Sequence, residues 1–286
     1  MGFREGASRF SERLRLSSER LPPSLSTHGL LASTVRPLYL SDHHPMLRLR
    51  TFGGLTLARD DDPPMTGAAT QRRRLAILAL LAVARDRGLS RDKILGLLWP
   101  ESEFDRARHT LNQLLYAQRQ LFGDPDLFAG RKTLRLNPQA VWTDVGAFDD
   151  ALDRGDLEEA VAVYRGPFLD GFFITRAPDF EHWAESQRTR LADRCHAALA
   201  ALAERAMANG SLPEALRWLG RAFELDPLST PVATRLVTAL SRVGDRRTAL
   251  GIARRHTEAL RNELDAAPEH DFLRLVERLR RGSAGE

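Results

Sequence analysis

The chain has 286 residues, 43% of them apolar, a formal net charge of +4 and a single cysteine, Cys195. That much apolar material supports two packed units, but the longest apolar run, Leu75 to Ala84, is too short to span a bilayer, and the N-terminus lacks the apolar core of a secretory signal. One cysteine excludes an internal disulfide and any multi-cysteine metal site, so the reading is a cytoplasmic protein with no membrane partner.

Residues 1–45 hold Ser and Pro clusters (LPPSLSTH, SDHHP) and no sustained apolar period, which predicts a disordered leader and makes Met46 the expected natural start. From Leu47 the alternation LRLRT, continued through Gly53-Gly54 to Leu57, predicts a short antiparallel hairpin. Gln71 to Arg87 (QRRRLAILALLAVARDR) has helical length and is stopped by Gly88. Ser90 caps a second helix with Ile94, Leu95, Leu97 and Leu98 on its buried side, and Pro100 ends it. A third helix, 104–122 (FDRARHTLNQLLYAQRQLF), carries Ala107, Leu111, Leu114, Leu115, Leu121 and Phe122 on one stripe. Its opposite face bears Arg106, His109, Asn112, Gln113, Tyr116 and Gln120. A Gly-Asp-Pro turn then leads into a basic hairpin, LFAGRKTLRLN.

Charge is unevenly spread along the chain. Residues 46–142 hold 16 Lys/Arg against 10 Asp/Glu, whereas residues 143–286 hold 20 against 24. The basic excess therefore lies in the first folded unit, with the arginines at 72–74, Arg106, Arg108, Arg131, Lys132 and Arg135 as the set expected to face phosphates. Lys93 and Lys132 are the only lysines, so part of the arginine richness is coding bias.

Beyond Thr143 the pattern is helical throughout. Gly155-DLEE-Ala160-Val161, Gly210-SLPE-Ala215-Leu216 and Gly244-DRRT-Ala249-Leu250 share one frame, the last two 34 residues apart. That period belongs to paired helices of the tetratricopeptide type, in which glycine turns the chain and alanine allows close packing. The fold class read from these patterns is mainly α: an α+β unit at 46–142, to which the resemblance described next gives the form of a winged helix-turn-helix, an all-α tetratricopeptide-like repeat domain at 143–281, and a tail at 282–286.

YRGPFLDGF (164–172), the preceding DVGAFDDALDRGDLEEAVAVY and the following DFEHWAESQRTRLADR (179–194) resemble the bacterial transcriptional activator domain. That module commonly follows an OmpR-type winged helix in the antibiotic regulatory protein (SARP-like) family, and residues 47–142 resemble such a unit in order and length. Two departures stand out: Gln118-Arg119 where the family's third helix commonly has Leu-Arg, and Gly130-Arg131-Lys132-Thr133 where its wing has Gly-Tyr.

The resemblance implies a sequence-specific regulator of transcription, an activator, with double-stranded DNA as partner, RNA polymerase as a further one, and binding as a homodimer or tandem pair. The third helix would lie in the major groove, where Arg reads guanine and Asn or Gln reads adenine. Arg106, Asn112 and Gln113 supply those types, Arg108 and His109 reach bases or phosphates, and Tyr116 suits phosphate or sugar. Arg131 and Lys132 suit the backbone or minor groove. Arg72 and Arg73 would anchor phosphates or, equally, remain solvated; Arg119 is expected in an intramolecular ion pair. A scaffold whose repeats bind proteins beside a degenerate winged helix is the alternative. Cys195-His196 and Glu181, His182, Glu185 offer no catalytic geometry, so no enzyme activity, cofactor or metal is expected, and the four tryptophans read as core or interface anchors.

Overall fold

The computed structural model describes residues 46–60, 62–67 and 71–281. The expected leader at 1–45 and tail at 282–286 lie outside the described residues.

The chain opens with the hairpin the alternation predicts, β1 (Leu47–Arg50) and β2 (Thr56–Arg59), in antiparallel register with Leu49 opposite Leu57. Helix α1 (Arg72–Ala84) follows, with every residue from Leu75 to Ala82 buried. A helix apolar on all sides belongs at the centre of its unit. A 3₁₀ turn at Arg85–Arg87 and the two-residue strand β3 (Leu89–Ser90) lead into α2 (Arg91–Leu98), whose N-terminus is capped by Ser90, its hydroxyl accepting from the Lys93 amide at 3.2 Å. Next come α3 (Phe104–Phe122), β4 (Phe128–Ala129), β5 (Thr133–Leu136) and β6 (Val141–Thr143).

Two small sheets result. One has the order β2-β1-β6, with β6 parallel to β1; the other is β3-β5-β4, antiparallel throughout. The parallel β1–β6 pair was not foreseen, because a three-residue strand carries too little alternation to be read from sequence.

The helical module comprises α4 (Asp144–Arg154), α5 (Leu157–Val163), α6 (Pro178–Ala208), α7 (Leu212–Leu225), α8 (Thr230–Arg242), α9 (Arg246–Leu264) and α10 (His270–Arg281). The repeat frame is visible in three dimensions. Gly155, Gly210 and Gly244 take positive φ at the turns between α4 and α5, α6 and α7, and α8 and α9, while Ala160, Ala215 and Ala249 are fully buried at matching places. These pairs pack along their lengths, and α10 closes the array against α8 and α9. His256 is buried in that closure: its ring meets the Phe272 ring edge-on at 4.8 Å, with Nδ1 2.8 Å from the Pro227 carbonyl.

The winged helix and the helical module share a continuous core. YRGPFLDGF wraps the β1–β2 hairpin: the Gly53 amide donates to the Pro167 carbonyl at 3.0 Å and the Leu169 amide to the Thr51 carbonyl at 2.8 Å. Phe52, Phe148 and Tyr164 form an aromatic cluster beneath it, with Phe52 and Phe148 5.4 Å apart in edge contact. Asp144, at the start of α4, accepts from the Thr51 and Phe52 amides, from the Thr51 hydroxyl and from the Val145 amide at 2.7–2.9 Å. Burial pushes its carboxyl above the ordinary carboxylate value, against the pull of those donors. Trp183 packs on Phe168 and Phe180, and Glu181 accepts from the Ile174 amide at 2.7 Å, so the one fills the core and the other ties the preceding loop to α6.

Candidate nucleic-acid interface

Helix α3 has the limits read from its sequence and stops at Gly123, which takes φ +66°. Ala107, Leu111, Leu115 and Phe122 are buried on its inner side. Leu121 departs from the expected stripe: it is 42% exposed, because, one residue before the buried Phe122, it is turned by about 100° from the 111–115–118–122 face. Its place inside is taken by Gln118, which is fully buried and donates from Nε2 to the Arg74 carbonyl at 3.0 Å, leaving Oε1 buried without a partner. The Gln118 amide thus ties α3 to the first turn of α1.

The outer side is open. Arg106, Arg108, His109, Asn112, Gln113, Tyr116 and Gln120 are all exposed, Tyr116 by 63%. Residues 106, 109, 113, 116 and 120 follow one another at steps of three and four, which on a helix is one continuous stripe. Beside it the wing turns at Gly130, with φ +88°; a Cβ there would sit 2.0 Å from the Thr133 carbonyl oxygen, so only glycine fits the turn. Arg131 and Lys132 stand exposed at its tip.

One residue binds stripe and wing together, and sequence reading missed it. Arg91, the first residue of α2, donates from Nη1 to the Asn112 side-chain oxygen at 2.8 Å and from Nε to the Arg131 carbonyl at 2.8 Å; its amide donates to the Lys132 carbonyl at 3.3 Å. Burial, then the like charges of Arg119 and Arg108, pull its guanidinium below its ordinary value. A cation in the first turn opposes the helix dipole, and that misfit in Ser90-Arg91-Asp92 was the available signal that acceptors must arrive from elsewhere in the fold.

Two expectations need correction. Arg72 and Arg73 do not stand unpartnered: both are engaged within the chain, Arg72 while still exposed. Arg72 donates to the Phe173 carbonyl at 2.8 Å and lies over the Phe173 ring at 4.3 Å, while Arg73 reaches the Leu98 and Thr175 carbonyls at 3.4 and 3.5 Å and lies over Trp99. Both fasten α1 to the loop that precedes α6, because carbonyls and rings of that loop come within reach once the modules pack. Among the described residues Arg119 makes no ion pair; it donates to the Phe128 carbonyl at 3.2 Å and lies over that ring. Arg135, at the wing, reaches the Asp86 carbonyl at 3.5 Å.

Cys195 is buried and its thiol is pushed up to about 12, chiefly by burial. Among the described residues no group of three or more His, Cys, Asp or Glu side chains could hold a metal ion, and no helix is long and apolar enough to cross a membrane.

Comparison with known proteins agrees with this architecture. Residues 143–280 match the family described as the bacterial transcriptional activator domain. An uncharacterised 47.3 kDa protein in the thcA 5′ region of Rhodococcus erythropolis is 36% identical over 157 residues, covering 54% of this chain and 32% of that protein. The transcriptional regulatory protein EmbR of Mycobacterium tuberculosis is 28% identical over 250 residues, covering 80% of this chain and 62% of EmbR. The solved structure of Mycobacterium tuberculosis EmbR in complex with a low-affinity phosphopeptide superposes with a TM-score of 0.56 at 25% identity, over 83% of this chain and 66% of that one. The chain thus spans between about a third and two thirds of the length of these relatives. The fold read from the sequence, a winged helix followed by a helical activator domain, is borne out.

Proposed function

We propose that this chain, which carries a bacterial transcriptional activator domain behind a winged helix, is a sequence-specific DNA-binding regulator of transcription that acts as an activator in the cytoplasm and has no enzymatic role. Helix α3 enters the major groove with Arg106, Arg108, His109, Asn112, Gln113 and Tyr116, and the wing lays Arg131 and Lys132 on the backbone or in the adjacent minor groove. The helical module supplies self-association and contact with RNA polymerase. One winged helix offers few base contacts, so two copies bind repeated half-sites.

The observation that carries this reading is the contrast in partners. Among the described residues the side chains of Arg106, Arg108, Arg131 and Lys132 donate no hydrogen bond and enter no ion pair within the chain, whereas Arg72, Arg73, Arg91 and Arg119 are all taken up by acceptors. Four free cations grouped around one polar helix face form a surface for a polyanion.

Gel-shift titration against duplexes selected from random DNA tests the proposal. Affinity should fall linearly on logarithmic axes as salt rises, with a slope of about −0.9 for each phosphate neutralised. Affinity indifferent to salt, or selection that enriches no sequence, would reject it in favour of a protein-binding scaffold.

A further inference from the structure

The contact between Arg91 and Asn112 constrains what Asn112 can recognise. A guanidinium has donors only, so the atom facing it must be the side-chain oxygen of Asn112, whatever the assignment of that amide. With Oδ1 held at 2.8 Å by Arg91 Nη1, the amide plane is fixed and the group wholly unengaged on this exposed residue is its NH₂, a pure donor. An unengaged asparagine pairs with adenine by donating to N7 and accepting from N6. Here Arg91 already takes one of the two lone pairs of that oxygen, and its cationic, donor-only guanidinium beside the atom disfavours a second donor such as adenine N6.

We propose that Arg91 is a positioning residue that sets base preference: by holding the oxygen of Asn112 and the backbone of the wing at once, it presents Asn112 as a donor and directs it to guanine, whose O6 and N7 both accept, instead of adenine. This rests on the DNA-binding reading above. Guanine offers two acceptors where adenine sets an N6 donor beside its single N7 acceptor. The same guanidinium grips the Arg131 carbonyl at 2.8 Å and its backbone amide meets the Lys132 carbonyl, so the wing root and the reading amide keep a fixed relation. The neighbouring charges of Arg108 and Arg119 bring no carboxylate to compete for Arg91, which leaves the Asn112 oxygen as its side-chain partner.

Selection of bound duplexes from random DNA, run with the full chain and with its Arg91→Ala and Asn112→Asp variants, decides the matter. The unaltered protein is expected to prefer guanine at the position facing Asn112. Arg91→Ala frees the amide oxygen and shifts that one position toward adenine by about tenfold relative to guanine. Asn112→Asp, nearly isosteric and exposed, keeps an oxygen for Arg91 and turns an acceptor to the groove, shifting the same position to cytosine with its N4 donor. Thermal melting by circular dichroism checks both folds; should Arg91→Ala not fold, the base profile of Asn112→Asp is sufficient by itself. An enriched motif whose base profile is unchanged by either variant, even with a uniform loss of affinity, overturns this inference and leaves the DNA-binding reading intact. Adenine at that position in the unaltered protein overturns it likewise. Failure of the unaltered protein to enrich any sequence overturns both.

Discussion

Two groups of arginines in this molecule look alike in sequence and have opposite fates. Arg72 and Arg73, at the start of α1, are bonded to the Phe173, Thr175 and Leu98 carbonyls and lie against the aromatic faces of Phe173 and Trp99. Arg106 and Arg108 on α3, with Arg131 and Lys132 on the wing, meet no such acceptors. The difference teaches that a basic run is defined by what packs against it. Where a second module delivers carbonyls and rings, arginine becomes an intramolecular fastening; where none arrives, its donors remain for an external anion.

The sharpest way to break this comparison is to exchange the expected losses. Arg106→Ala combined with Arg131→Ala should lower DNA affinity about 100-fold while leaving the unfolding midpoint unchanged, as read by fluorescence anisotropy beside a urea melt. The salt slope should fall by about 1 for each lost phosphate contact. Unaltered affinity would show that the open cations are merely solvated.

Arg72→Ala with Arg73→Ala should do the reverse. Unfolding free energy is expected to drop by about 1–2 kcal/mol, from lost carbonyl hydrogen bonds and stacking, with the salt slope of DNA binding preserved. A reduced slope at unchanged stability would return these arginines to the phosphate-facing set.

Within α3 itself, Leu121→Ala should cost less than about 1 kcal/mol, whereas Leu111→Ala, fully buried, should cost about 2–5 kcal/mol by urea denaturation. Equal costs would place Leu121 back in the core stripe.

The smallest expected effect concerns Cys195. With its thiol pushed up to about 12 by burial, it stays protonated near neutrality, and a thiol reagent at pH 8 should label it only in denaturant. Rapid labelling of the native chain would mean that the core around α6 opens readily.

Much of the fold was legible from residue patterns alone. The limits of α3, the Ser90 cap, the glycine turns at 155, 210 and 244 and the buried alanines that follow them depend on contacts within a few residues, and local chemistry is written into sequence. The candidate site was legible as a face: Arg106, His109, Gln113 and Tyr116 align by helical spacing, and helical spacing needs no tertiary knowledge.

Tertiary structure decided which polar groups stay free on that face. Periodicity cannot tell Arg72 or Arg91 from the unpartnered Arg106, because the partners of the first two lie as far as 101 residues away along the chain. Whether such a pair meets depends on how β1, β6 and the YRGPFLDGF loop lock the two modules together. The parallel pairing of β1 with β6, the burial of Gln118 against the Arg74 carbonyl and the grip of Arg91 on Asn112 and the wing are all consequences of that packing. By itself the sequence determined the helices, the repeat and the polar stripe, because these follow from periodicity. The bonding state of each arginine was set only when the folded chain brought carbonyls, rings and amides within about 3 Å of its donors, the reach of a hydrogen bond.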